Sequence, residues 1–189
     1  MARSVGVSQA QIIDAAANLA DQYGLETLTL AQVAQAVGIR LPSLYNHVDG
    51  LAGLRYELAV LGTRELGMVI GRAAIGKSGD AAVLALAQAY RSYMLEHPGR
   101  YTASIRAPQP DDYLLQDLKE QIVTIVQTIM TYYQLNEEHS LHAIRGLRSI
   151  IHGFATLEQL GGFGLPLDRE KSFRLLLEMY IAGLHVYQP

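Results

Sequence analysis

GIRLPSLYNHVDG, residues 38–50, is the stretch whose reading decides the fold. Gly38 ends one apolar-periodic run. Pro42 suits the first turn of the next helix, because proline lacks the N–H that a helix start leaves unpaired. Leu44 and Val48 lie four apart and share one side of that helix. Ser43, Asn46 and His47 then point the other way, with Arg40 in the turn and Tyr45 beside them; Asp49-Gly50 closes the segment. Short polar groups on one face and packed aliphatic groups on the other let a helix lie in a DNA major groove. A plain turn between two packed helices has the same pattern, and periodicity alone leaves both readings open.

Upstream, Ser8–Tyr23 reads as a helix: Ile12, Ile13, Ala16, Leu19, Ala20 and Tyr23 recur at helical spacing. Ser8 suits its N-cap and Gly24 its end. After the link LETL, Thr29 and Gln32 have capping-box spacing, and Val33, Ala34 and Val37 form the inner face of a second helix. The first fifty residues thus hold three helices, the last two separated by a glycine turn. Leu51–Ala74 is a longer fourth helix that connects this head, residues 1–50, to a body, residues 51–189. The body reads as helical too: Asp80–His97, ended by Pro98-Gly99; a short piece at Tyr101–Arg106; Asp111–Tyr133; a helix from Asn136 or Ser140 to Leu160; the break GGFGLP, 161–166; and Asp168–Val186. The predicted class is all-α, a three-helix head with a helix-turn-helix and a larger helical body.

Composition narrows the function. The chain has 189 residues, half of them apolar, a formal charge of −3 and no cysteine. Disulfides, thiolate catalysis and thiolate zinc sites are excluded. The charge does not suit a protein that coats nucleic acid by electrostatics alone. Met1–Val7 carries one arginine and no apolar run, and Leu51–Ile75 is broken by Arg55, Glu57, Arg64, Glu65 and Arg72, so a cytoplasmic, soluble protein is expected. The enzyme reading has little support. His139 and His142 with Glu138 lack a third ligand close by, and GKSG and GGFG lack the strand and spacing of a phosphate loop. No metal or cofactor is expected.

The run AQIIDAAANLADQYGLETLTLAQVAQAVGIRLPSLYNHVDGLAGL, 10–54, resembles the N-terminal DNA-binding domain of TetR-family transcriptional regulators, above all at Tyr23-Gly24, Val37-Gly38-Ile39 and Leu44-Tyr45-Asn46-His47-Val48. The resemblance implies a homodimer whose two heads bind a roughly palindromic operator, and a body with a dimer interface and an effector pocket. It implies a repressor released by a small molecule. Carried over by position, Thr29–Val37 is the second helix and Pro42–His47 the recognition helix. Arg40, Leu41, Ser43 and Asn46 fall near base edges. Thr29, Tyr45 and His47 fall near phosphates, and Arg3 in a basic N-terminal arm. The segment 152–184 resembles a subgroup named for a Trp-His-Gly motif, with Ile151 in place of the tryptophan. The head departs from the family at Leu51, where a lysine is common. Residues 1–72 hold five arginines (3, 40, 55, 64, 72) against six acids (14, 21, 26, 49, 57, 65), a net of −1. That balance favours a weak or highly selective operator interaction, or, as the alternative, a helical homodimer that keeps the head without binding DNA specifically.

In the body, Tyr90, Tyr93, Met94, Ile122, Ile125, Val126, Ile129 and Phe154 are the expected apolar lining of an effector site, with His97, Arg106 and His152 as polar anchors. An apolar compound with one polar group fits them. The last two long helices are the expected dimer interface, through Gly153, Leu157, Leu160, Phe173, Leu177, Tyr180, Ile181 and Leu184; completion of an intramolecular core is the other reading. Glycines at 62, 67 and 71 either make the fourth helix pliable or mark close packing.

Overall fold

The computed structural model describes residues 7–186. Every regular element among them is helical, in the order α1 (Gln9–Tyr23), a 3-10 turn (Leu25–Thr27), α2 (Leu30–Ala36), α3 (Leu41–Leu44), α4 (Gly50–Ala74), α5 (Gly79–Glu96), α6 (Pro98–Ser104), α7 (Tyr113–Met130), a second 3-10 turn (Thr131–Tyr133), α8 (Glu137–Gln159) and α9 (Arg169–Val186). None of these helices is long and apolar enough to cross a membrane. The chain forms two compact units: one runs through Glu65 and takes in Glu96–Gln116, and the other comprises Leu66–Leu95 and the chain from Asp117.

In the first unit, capping sets the helix starts. Ser8 and Gln11 form a reciprocal capping box on α1, and Thr29 and Gln32 form one on α2. Each box satisfies donors that a helix start leaves open. Gly38 adopts φ +71°, the left-handed turn that ends α2 and aims the chain into α3. Ile12, Ala16, Ala20, Val33, Ala34, Leu44, Val48, Leu54 and Leu58 make the core, completed by Ala103 of α6 and Leu115 of α7. The helix expected to end at Pro98-Gly99 does end there, α5 closing at Glu96, and the same pair also opens the next one: Pro98 occupies the first turn of α6, which starts three residues before the expected Tyr101. Gly99 is there because a Cβ would strike the backbone of Ala20. Asp21 of α1 then accepts the Arg100 backbone N–H at 2.9 Å and faces the Arg100 guanidinium at 3.1 Å. Arg100 also reaches Glu65 of α4 at 3.3 Å and Asn18 at 2.7 Å.

The second unit packs the rest of α4 with α5, α7, α8 and α9. Gly67 and Gly71 of α4 sit 3.3 and 3.5 Å from the side chains of Ile122 and Ile125, measured from where a Cβ would be. Gly62, in the first unit, faces the Arg100 carbonyl in the same way. Close packing thus accounts for Gly62 and makes Gly67 a tight site, whereas at Gly71 a Cβ would make only an ordinary contact. On α9, Phe173, Leu177, Ile181 and Leu184 are 0, 2, 6 and 6 % exposed within a single chain. Beside them Arg91, itself 5 % exposed, forms a two-bond fork with Glu158 (2.9 and 3.0 Å) and a third bond to Glu170 (2.6 Å). Its guanidinium lies over the rings of Phe154 and Phe173. This clip joins α5, α8 and α9.

Candidate nucleic-acid interface

The surface at α3 is built by division of labour. Leu44 is fully buried and Val48 is 6 % exposed, so both side chains fasten the segment to the core of the first unit. The intervening residues therefore face out: Arg40, Leu41, Pro42, Ser43, Tyr45 and Asn46 are all exposed, Tyr45 at 57 %, and His47 is half-buried. The regular helix is shorter than the predicted Pro42–His47. It covers Leu41–Leu44, and Tyr45–His47 continue as turns, with the His47 N–H donating to the Leu44 carbonyl at 2.9 Å. Thr29 is exposed at the start of α2, its hydroxyl donating to the Gln32 side chain at 2.8 Å. Seven of the eight residues expected to meet DNA thus lie in one 19-residue span; Arg3 lies outside the described residues. Among the seven, Arg40 is the one formal charge. The guanidinium of Arg55 is committed internally, to Glu26 at 3.0 Å and the Leu25 carbonyl at 3.3 Å.

The expected effector-site residues divide between the units. Tyr90, Tyr93, Met94, Val126, Ile129 and Phe154 are buried in the second unit, with Ile122, Ile125 and His152 half-buried there. His97 and Arg106 belong to the first unit. His97 caps α6 without a side-chain cap bond, its Nδ1 lying 3.3 Å from Asp21, and Arg106 is exposed. His142 pairs with Glu138 at 3.8 Å, and no group of three metal-ligating side chains occurs among the described residues.

The expected dimer residues also divide. Phe173, Leu177, Ile181 and Leu184 close the core of their own chain, and Tyr180 donates its hydroxyl to the Ala143 carbonyl at 2.7 Å. These side chains are therefore engaged within their own chain. Leu157 and Leu160 remain exposed at 48 and 78 %. The outward apolar side of α9 is Leu175, Met179 and Val186, which helical periodicity did not separate from the inner side because both are apolar.

Two family models match: one described as bacterial regulatory proteins, tetR family, over residues 12–49, and one described as tetracyclin repressor-like, C-terminal domain, over residues 83–180. An uncharacterized HTH-type transcriptional regulator of Bacillus subtilis, YobS, is 35 % identical over 97 % of this chain and 96 % of its own length. Another from Mycobacterium tuberculosis is 35 % identical over 97 % of this chain and 84 % of its own length. Among solved structures, a protein of unknown function from Rhodococcus superposes with a TM-score of 0.82 at 20 % identity, covering 97 % of this chain and 98 % of that one. A TetR variant from Acinetobacter baumannii in complex with minocycline gives 0.73 at 16 % identity, with 97 % and 99 % covered. These two share the fold.

Proposed function

Because the chain belongs to the TetR family of transcriptional regulators, we propose that it is a cytoplasmic repressor that binds a roughly palindromic operator as a homodimer and is released by a small, largely apolar effector. A regulator of this kind is not an enzyme. The observation that carries the reading is the exposed, mostly uncharged face of α3, held rigid from behind by Leu44 and Val48. Arg40, Leu41, Ser43 and Asn46 are assigned to base edges, and Thr29, Tyr45 and His47 to phosphates. Arg3 is assigned to a basic arm. Residues 1–50 carry DNA reading, and 51–189 carry dimerisation and effector binding, with 51–74 as the connection. The apolar residues Leu157, Leu160, Leu175, Met179 and Val186 supply the partner-facing surface, with Gly153 allowing close approach. The apolar and aromatic residues named above in the body supply effector contacts.

An effector acts only through different affinities for the two head arrangements. It shifts α4 and thereby the spacing of the two heads, which an operator fixes near one helical turn or a multiple of it. Crosslinking the heads at the DNA-competent spacing then preserves binding with effector present, and loss of binding despite the crosslink refutes the mechanism. The primary test is selection of bound duplexes from a random pool, repeated with Arg40→Ala and Tyr45→Ala. Enrichment of a palindrome, weakened in both variants, supports the reading. The charge balance of the head favours one alternative, a helical homodimer that does not bind DNA specifically; absence of enrichment selects it.

A further inference from the structure

One surface of the second unit is accounted for by neither the operator nor the dimer. A cleft of about 570 Å³ opens where the ends of α4 and α7 meet the start of α5. Its volume falls in the range of small-molecule sites. Ala74, Ile75, Ile125 and Ile129 make its apolar surface, and the ring of Tyr132 forms a wall. That wall is already fixed in place. Gly79, at φ +52°, lets the Tyr132 ring lie against the backbone, since a Cβ would sit 2.7 Å from the ring. Tyr133 and His185 meet the same ring edge-on, at centroid distances of 5.3 and 6.4 Å.

The polar groups of the cleft have one sign. Lys77 is the sole charged residue in its lining, and no aspartate or glutamate lines it. Lys77 is exposed and gives one hydrogen bond, to the Ala73 carbonyl of its own turn at 3.0 Å, out of three donors on the ammonium group. Thr128 and Thr131 commit their hydroxyl protons to helical carbonyls at 2.9 and 2.7 Å, so Lys77, Ser78 and the Tyr132 hydroxyl are the side-chain donors facing a ligand. The nearby Asp80 accepts from Tyr133 and pairs with His185, both at 2.8 Å, and its carboxylate lies outside the lining. A ligand with a hydrocarbon or aryl body and a single negative group matches this arrangement: the body covers the isoleucines and Tyr132, and the anion meets Lys77 through charge-assisted hydrogen bonds.

We propose that this cleft is a binding site for an amphiphilic monoanion, an apolar carboxylate, with Lys77 as its anion contact. The proposal rests on the reading that the body of the protein takes up a small effector, and it gives a chemical class and a place that shares only Ile125 and Ile129 with the effector contacts proposed above. The test is calorimetric titration of the full chain, without DNA, with octanoate and with its neutral counterpart octanamide. Octanoate is expected to saturate one site per chain at least tenfold more tightly than octanamide. Lys77→Gln removes that preference. Ile75→Glu, which puts a negative charge on the rim and removes one apolar contact, weakens octanoate more than octanamide. Arg145→Gln, an exposed cation on α8 remote in sequence from the cleft, leaves both unchanged. All three positions lie outside the core, so the variants fold. Absence of saturation, equal affinity for the two probes, or equal octanoate affinity in Lys77→Gln and the parent overturns the proposal. Because no DNA is present, failure here is separate from failure of operator selection.

Discussion

Removal of the Arg91 guanidinium is the most informative perturbation of the body. Arg91 is enclosed, and Glu158 opposite it keeps a side chain only 13 % exposed. Arg91→Ala leaves that carboxylate with Arg169, 3.9 Å away and itself more than half exposed, as its remaining cation. Stripping one partner from a buried pair costs about 3–5 kcal/mol. The contact with the exposed Glu170 adds under about 1 kcal/mol. The guanidinium over Phe154 and Phe173 adds about 1 kcal/mol more. Arg169 offsets part of the loss, so about 4 kcal/mol is expected. With a urea m-value of about 2 kcal/mol/M, the midpoint falls by about 2 M. The measurement is urea unfolding by circular dichroism at one fixed protein concentration, since dimerisation otherwise contributes by mass action. Arg91→Met with Glu158→Leu recovers most of the loss, because the buried charge is gone along with its partner. A midpoint shift below about 0.5 M for Arg91→Ala, or a double variant worse than the single one, refutes this account.

Further outcomes follow from other features. Gly99→Ala pushes α6 off Ala20 and costs about 2 kcal/mol or more, read as a lowered thermal midpoint; an unchanged midpoint refutes the close-contact account. Burial raises the Tyr133 and Tyr180 hydroxyls well above the usual phenol range, with Asp80 adding to the effect at Tyr133. Above about pH 10 the unfolded chain releases protons that the folded chain keeps, so stability falls with rising pH by about 1.4 kcal/mol per unit for each tyrosine, and Tyr180→Phe reduces that slope by one tyrosine's share in unfolding curves taken from pH 9 to 11. Operator binding should depend on salt with a log–log slope well short of −10, because few cations face the phosphates; a slope near −10 in a filter or anisotropy titration refutes this.

The head was legible in sequence because its signals are local. The Thr29–Gln32 pair, Gly38 and Pro42 each act on backbone within a few residues of themselves, and each predicted the capping or turn later found. Pro98-Gly99 marks the end of α5 as read, but the start of α6 at Pro98 rather than Tyr101 was not legible, because the need for Gly99 is set by Ala20, some eighty residues upstream. The Arg91 clip joins residues 67 and 79 positions apart, a distance at which no periodicity operates. On α9 the apolar residues exceed what one buried stripe needs, so sequence located the helix without telling its inner side from its outer.

The seat of α6 against α1 has a consequence for how the protein can be divided. A fragment cut after the recognition segment would lack Ala103 and Leu115, which close its core, and Arg100, which Asp21 holds. The transplantable DNA-reading module is therefore discontinuous in sequence. A chimera that exchanges only the first fifty residues asks a foreign α6 to fit Ala20 and Asp21. Recombination between relatives should succeed when positions 18–21 and 97–103 are inherited from the same parent.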